Sequence, residues 1–168
     1  MKLVFDSTTL IYFAKLKILD KLKELEGEKI IPRSVYTEVV DEGRARGKED
    51  ALVIEGLVNK NIFRIAEADK KLLKQFLDIK NISYADAETL AISKEQKAVA
   101  IIDESYLRTI ADIESIAYRG SVFLLFSLYR ENIIKKDEIR KCIDDMVKLG
   151  WRCSTELYAA VIDEIEKL

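Results

Sequence analysis

Two hydrophobic rhythms alternate along the chain: short unbroken apolar runs, and longer stretches repeating near every third or fourth residue. Lys2–Phe5 is a short apolar run and reads as a strand. Leu10, Phe13, Leu16, Leu19 and Leu22 follow near helical spacing, which predicts one helix or two over Leu10–Leu25. Lys29–Ile31 reads as a second strand stopped by Pro32, and Ser34 can cap a helix from Val35 to Glu42 that Gly43 ends. Lys48–Lys60 reads as a helix, Ile62–Ile65 as a short strand, and Lys70–Asp78 as an amphipathic helix. Ser83 caps a helix from Tyr84 to about Lys94. Val99–Ile102 is apolar throughout between Lys97 and Asp103, the pattern of a buried parallel strand. Tyr106–Ala111 is predicted helical and Ile113–Ala117 an edge strand, and Gly120-Ser121 opens the apolar helix Val122–Tyr129. Helices near Asp137–Leu149 and Thr155–Glu166 close the chain, with Gly150 as the C-cap between them.

Strands alternating with helices imply an α/β protein with a mostly parallel sheet covered on both faces. The six glycines and single proline form no linker, and no repeat is visible. One domain is therefore expected over 1–168, with a C-terminal helical extension from about 136 to 168. In such a sheet the functional cleft lies beyond the carboxyl ends of the strands.

Composition narrows the chemistry. The chain is 168 residues long and 49% apolar, enough for a substantial core. No apolar run approaches the roughly 20 residues that span a bilayer, and Asp6 comes too early for a secretory signal. The expectation is a cytoplasmic protein with no membrane partner. Cys142 and Cys153 are too few and too far apart for a disulfide scaffold or a cysteine metal site, and read as buried or half-buried thiols. There is no histidine. Nucleophilic triads and histidine-ligated zinc enzymes are thereby excluded, and chemistry must come from the 30 acidic residues. A net charge of −2 gives no global basic field for coating nucleic acid.

Four acids converge on the carboxyl edge of the predicted sheet. Asp6 directly follows the first strand and Asp103 the fourth, with Glu104 beside it. Glu38 lies one turn into the helix after the second strand. Asp86 lies in the first turn of the helix before the fourth strand, with Glu88 two residues on. Each has a plainer use. Asp6 or Asp103 can satisfy backbone groups in a strand-to-helix turn, Ser83-Tyr84-Ala85-Asp86 resembles a capping box, and Glu38 can be solvated. Together, though, unit charges about 4 Å apart repel by roughly 4 kcal/mol at an effective dielectric near 20. A cluster of carboxylates therefore takes up protons or binds a hard cation. All-oxygen ligation suits Mg²⁺ or Mn²⁺, which can activate water against a phosphodiester. Without metal the repulsion should lift the folded pKa values, so that Asp103→Asn would stabilise the protein.

The run Asp6-Ser7-Thr8-Thr9-Leu10-Ile11 resembles the Asp-Thr-Ser-Pro-Leu-Ile of one PIN domain subfamily. Ile31-Pro32-Arg33-Ser34-Val35-Tyr36-Thr37-Glu38-Val39 is similar to its Ile-Pro-x-x-Val-x-x-Glu-Val, and Asp86-Ala87-Glu88-Thr89-Leu90-Ala91 to its Glu-Ala-Glu-Ala-Ile-Ala. Ile101-Ile102-Asp103-Glu104 with Arg108 resembles its Leu-Ile-Asp-Asp and trailing arginine. Gly120-Ser121 and Gly150-Trp151-Arg152-Cys153-Ser154, then Leu157-Tyr158, carry the likeness nearly end to end. Thr9 replaces a proline and Glu104 an aspartate, and the family's fourth acid corresponds to Asp103 or Glu104. The resemblance implies a three-layer α/β/α sandwich and a Mg²⁺- or Mn²⁺-dependent endoribonuclease. Asp6, Glu38, Asp86 and Asp103 would be its catalytic and metal-binding residues, with Thr8, Glu88, Glu104 and Ser121 supporting them. It also implies an RNA substrate, a homodimer and, as in toxins of the VapC type, an antitoxin partner.

A receiver-type phosphoacceptor would need an acidic pair beside the first strand, and a haloacid-dehalogenase phosphatase a second aspartate after Asp6; neither is present. The remaining rival is a PIN-fold protein that binds RNA or a protein without cutting. For a partner, Leu16, Leu19, Leu22 and Leu25, at a three-residue step, and Leu52, Ile54, Leu57 and Val58 exceed what one core-facing stripe needs.

Overall fold

A computed structural model describes residues 1–168. Five strands pair in the order β3-β2-β1-β4-β5: β1 (Lys2–Phe5), β2 (Glu28–Pro32), β3 (Arg64–Ala66), β4 (Val99–Ile101) and β5 (Tyr118–Arg119). Every pairing is parallel. The helices are α1 (Ser7–Lys15), α2 (Arg33–Tyr36), α3 (Gly43–Ala45), α4 (Glu49–Asn59), α5 (Lys70–Leu77), α6 (Tyr84–Glu95), α7 (Ser105–Ile113), α8 (Ser121–Arg130), α9 (Lys136–Lys148) and α10 (Thr155–Glu166). None is long and apolar enough to cross a membrane.

The period-two geometry of strands sorts the core into two sides. Leu3, Phe5, Ile31 and Ile101 point into the larger cluster, where Phe13, Ile54, Leu125 and Ile143 from the helices and Trp151 from the turn after α9 meet them. Val4, Ile30, Ala100 and Ile102 point the other way, toward residues of α5, α6 and α7. The result is the expected three-layer α/β/α arrangement. Burial on both faces is why these strands read as unbroken apolar runs.

Several local expectations need correction. Gly43 does not stop a helix. It has φ −59° and continues one, and a Cβ there would stand 3.0 Å from Ala51, so its small size lets α4 pack close. Between α2 and α3 the backbone widens into π turns over Thr37–Glu42, the segment that carries Glu38. Pro32, not Ser34, is the N-cap of α2. The last strand lies later than expected, because α7 runs on to Ile113 and Ser115 turns the chain at φ +55°. Leu19, Leu22 and Leu25 are buried in the protein's own core, whereas Leu52 and Val53 on α4 are exposed. Cys142 is buried and Cys153 half-buried, both as free thiols.

Candidate active site

The chain passes from β1 outward through β2 and β3, then returns to lay β4 on the other side of β1. The strand order therefore reverses between β1 and β4, where open α/β sheets form a crevice at their carboxyl ends. Phe5 pairs with Ile101 in the register, so Asp6 and Asp103 emerge side by side at that point.

Asp6 is the N-cap of α1. Its Oδ1 accepts the Thr9 N–H at 2.8 Å, and its own N–H donates to Ile101 O at 3.3 Å. The side chain is buried, at 4% exposure, and no lysine or arginine pairs with it. Burial pushes its carboxyl up to about 7. The Thr9 backbone and hydroxyl bonds partly oppose this, and the charges of Asp103 and Asp86 add to it. Expected mutual repulsion is thus present, but desolvation leads. Asp6 carries the strain.

Asp103 is differently placed. Its Oδ1 accepts the Ser121 N–H (3.0 Å) and Arg108 Nη2 (3.4 Å), and its Oδ2 accepts the Ser121 hydroxyl (2.6 Å). Arg108 is itself fixed by Nε and Nη2 bonds to Ile102 O at 3.1 and 3.0 Å. Gly120 makes this possible, since a Cβ there would collide with the Arg108 guanidinium and come within 2.5 Å of Asp103 Oδ1. Because Asp103 is held by three donors, neutralising it weakens those bonds as well as relieving its repulsion of Asp6. Ser121 also lies 3.4 Å from the Thr9 hydroxyl, which links the shells of Asp103 and Asp6.

Asp86 accepts the Ser83 hydroxyl at 2.6 Å while its N–H donates to Ser83 Oγ at 3.1 Å, so it serves the helix cap as well as the acid group. Glu38 is exposed and accepts the Ser7 hydroxyl at 2.7 Å, which brings it to the turn that holds Asp6. Ser7 was not singled out in the sequence, although a hydroxyl next to a strand-end acid is a readable signal. Glu88 is buried and faces α2, where its Oε2 accepts the Ser34 N–H (2.7 Å) and hydroxyl (2.5 Å). It pins α2 to α6. Glu104 is exposed, at the start of α7.

Next to Asp103 opens a cleft of about 510 Å³, whose walls include Thr8, Tyr12, Glu104, Tyr106, Trp151 and Arg152. A family model described as a PIN domain matches residues 2–167. The chain belongs to the PIN domain family. No curated protein matches it. PIN domains are typically nucleases, and nuclease chemistry in general follows for this one.

Whether a cation suits this PIN domain is a question of donors. The set is all oxygen, and Asp6 offers a buried carboxylate lacking a basic partner; in kind, these residues fit a hard divalent ion. As arranged, no three acidic side chains already form a cage for one. Asp86 is bonded to Ser83 and Glu38 to Ser7 instead.

Proposed function

We propose that the protein is a Mg²⁺- or Mn²⁺-dependent endoribonuclease that hydrolyses single-stranded RNA with Asp6, Glu38, Asp86 and Asp103. The observation that carries this reading is Asp6, a buried carboxyl pushed up to about 7 at the sheet's switch point, beside two further aspartates. A bound ion would supply the missing counter-charge, activate water and offset charge developing on the phosphodiester. The chain's own residues do the positioning. Asp6 is held by the Thr9 N–H, Asp103 by Ser121 and Arg108, and Glu38 and Asp86 by serine hydroxyls that release them at small cost. Thr8 lines the cleft beside Asp103. Asp103, turned inward, fills the fourth position better than the outward Glu104.

Within the same proposal, 1–168 acts as one PIN-like domain in the cytoplasm, with residues 136–168 as its helical extension. It is the toxin of a toxin–antitoxin pair and a homodimer, with Leu52 and Val53 as the exposed apolar contact. The test is cleavage of single-stranded RNA with Mn²⁺ or Mg²⁺, abolished by chelator and by Asp6→Asn. No cutting with either ion overturns the enzyme. One observation favours a second reading, a PIN-fold protein that binds RNA or a protein without cutting: no three acids stand ready as a cage. RNA binding without metal-dependent cleavage would decide for it.

A further inference from the structure

The turn between α9 and α10 builds one wall of the cleft. Gly150, at φ +99°, adopts a conformation that L side chains rarely take. The Gly150 and Trp151 N–H groups then fold back onto Val147 O (3.0 Å) and Met146 O (2.9 Å). This reversal buries Trp151 in the larger core cluster, which anchors the turn, and leaves Arg152 exposed on the cleft wall. Arg152 takes part in none of the protein's ion pairs. Tyr12 lines the same cleft as Asp103 and Arg152. Tyr106, on the first turn of α7, is 44% exposed, and its hydroxyl donates to Lys80 O, which steadies the ring.

A free guanidinium and a steadied aromatic face beside an opening of about 510 Å³ match the two parts of a nucleotide in a single strand. Arginine grips phosphate through paired donors, and any base can stack on an aromatic ring. A paired duplex hides its base faces and offers nothing to Tyr106. The exposed carboxylate of Glu104 repels phosphate and so favours the Arg152 side.

We propose that this cleft is the subsite for one nucleotide of an unpaired RNA strand, with Arg152 on its phosphate and Tyr106 stacked on its base. The proposal rests on the nuclease reading above, since it places the strand next to those acids. It is tested by binding of a fluorescently labelled single-stranded RNA in chelator, where the strand stays whole, followed by anisotropy across a salt series. Arg152→Ala should weaken binding roughly tenfold and flatten the logarithmic salt slope by about 0.7, the share of one single-strand phosphate. Tyr106→Ala should weaken binding roughly tenfold, while Tyr106→Phe, which keeps the ring, stays within about twofold of the original. Unchanged melting temperatures show that the variants fold. Original-strength binding by both alanine variants, or no binding of the RNA by the unsubstituted protein, overturns the subsite. The two readings fail separately. Predicted binding losses without any Mn²⁺-dependent cutting sink the nuclease and keep the subsite; cutting with unaltered binding by the variants does the reverse.

Discussion

Replacing Asp6 by asparagine keeps the side-chain volume and an Oδ1 acceptor for the Thr9 N–H, while removing the ionisable carboxyl. That carboxyl has an ordinary value of 3.8 and stands at about 7 in the folded protein, chiefly through burial. Below the ordinary value both states hold the proton, and Asp6 imposes no penalty. Between the two values the folded state keeps a proton that the unfolded chain has released, so stability falls as pH rises through this window. Above it the penalty is complete. The gap spans roughly three pH units at about 1.4 kcal/mol each, or about 4 kcal/mol. For a domain of this size each kcal/mol moves the melting temperature by about 2–4 °C. Thermal unfolding in chelator from pH 4 to pH 8 should therefore show Asp6→Asn gaining on the original protein by roughly 10 °C across the range. Taking the difference between the two proteins removes the titration of every other acid. Parallel melting curves across that range would refute the burial argument. At neutral pH, Mn²⁺ should raise the melting temperature of the original protein and not of the variant.

Asp103→Asn should behave oppositely, destabilising the metal-free protein by about 1–2 kcal/mol in denaturant titration, because it weakens the bonds from Ser121 and Arg108. A gain in stability would show that repulsion outweighs those bonds. Glu88→Gln should cost about 1–3 kcal/mol through the lost grip on Ser34 while leaving the Mn²⁺ melting response intact. A lost response would make Glu88 a ligand. Gly120→Ala should lower stability by about 1–3 kcal/mol, since its methyl group overlaps Arg108 and Asp103; unchanged melting would disprove that contact. Light scattering should show a dimer that Leu52→Asp disperses, and a monomer at tens of micromolar would remove that surface from consideration.

The strands were legible because both faces of the sheet are covered, which writes each inner strand as an apolar run. The last strand was not. Its two residues, Tyr118 and Arg119, are held by pairing with Ala100 and Ile101 rather than by apolar content, while the more apolar Ile113 ends a helix in the open. Gly43 misled because glycine signals a helix end locally, and its use against Ala51 depends on a second helix. The leucines at a three-residue step suggested an extra apolar face. That step is the period of a 3₁₀ helix, and the chain forms one over Leu19–Glu24, which turns Leu19 and Leu22 into the same core.

The acids were legible for a different reason: position relative to strand ends depends on topology, and alternation of strand and helix predicts topology well. What the pattern could not separate was a capping acid from one gathered with other acids at the sheet edge, and in the structure Asp6 is both. The cap bond at Asp6 uses Oδ1 and leaves Oδ2 unclaimed by any basic group, so one carboxylate can close a helix and still stand uncompensated beside Asp103 and Asp86. At Asp86 the N–H donates to the capping Ser83 Oγ while the carboxylate accepts the Ser83 hydroxyl. The opposite wall was hidden because Arg152 and Asp103 meet across some 50 positions of sequence. Only the turn at Gly150, with Trp151 sunk in the core, returns that arginine to the acids. A local window sees Gly-Trp-Arg as the end of one helix and the start of the next. The fold makes it the only cationic side of the cleft.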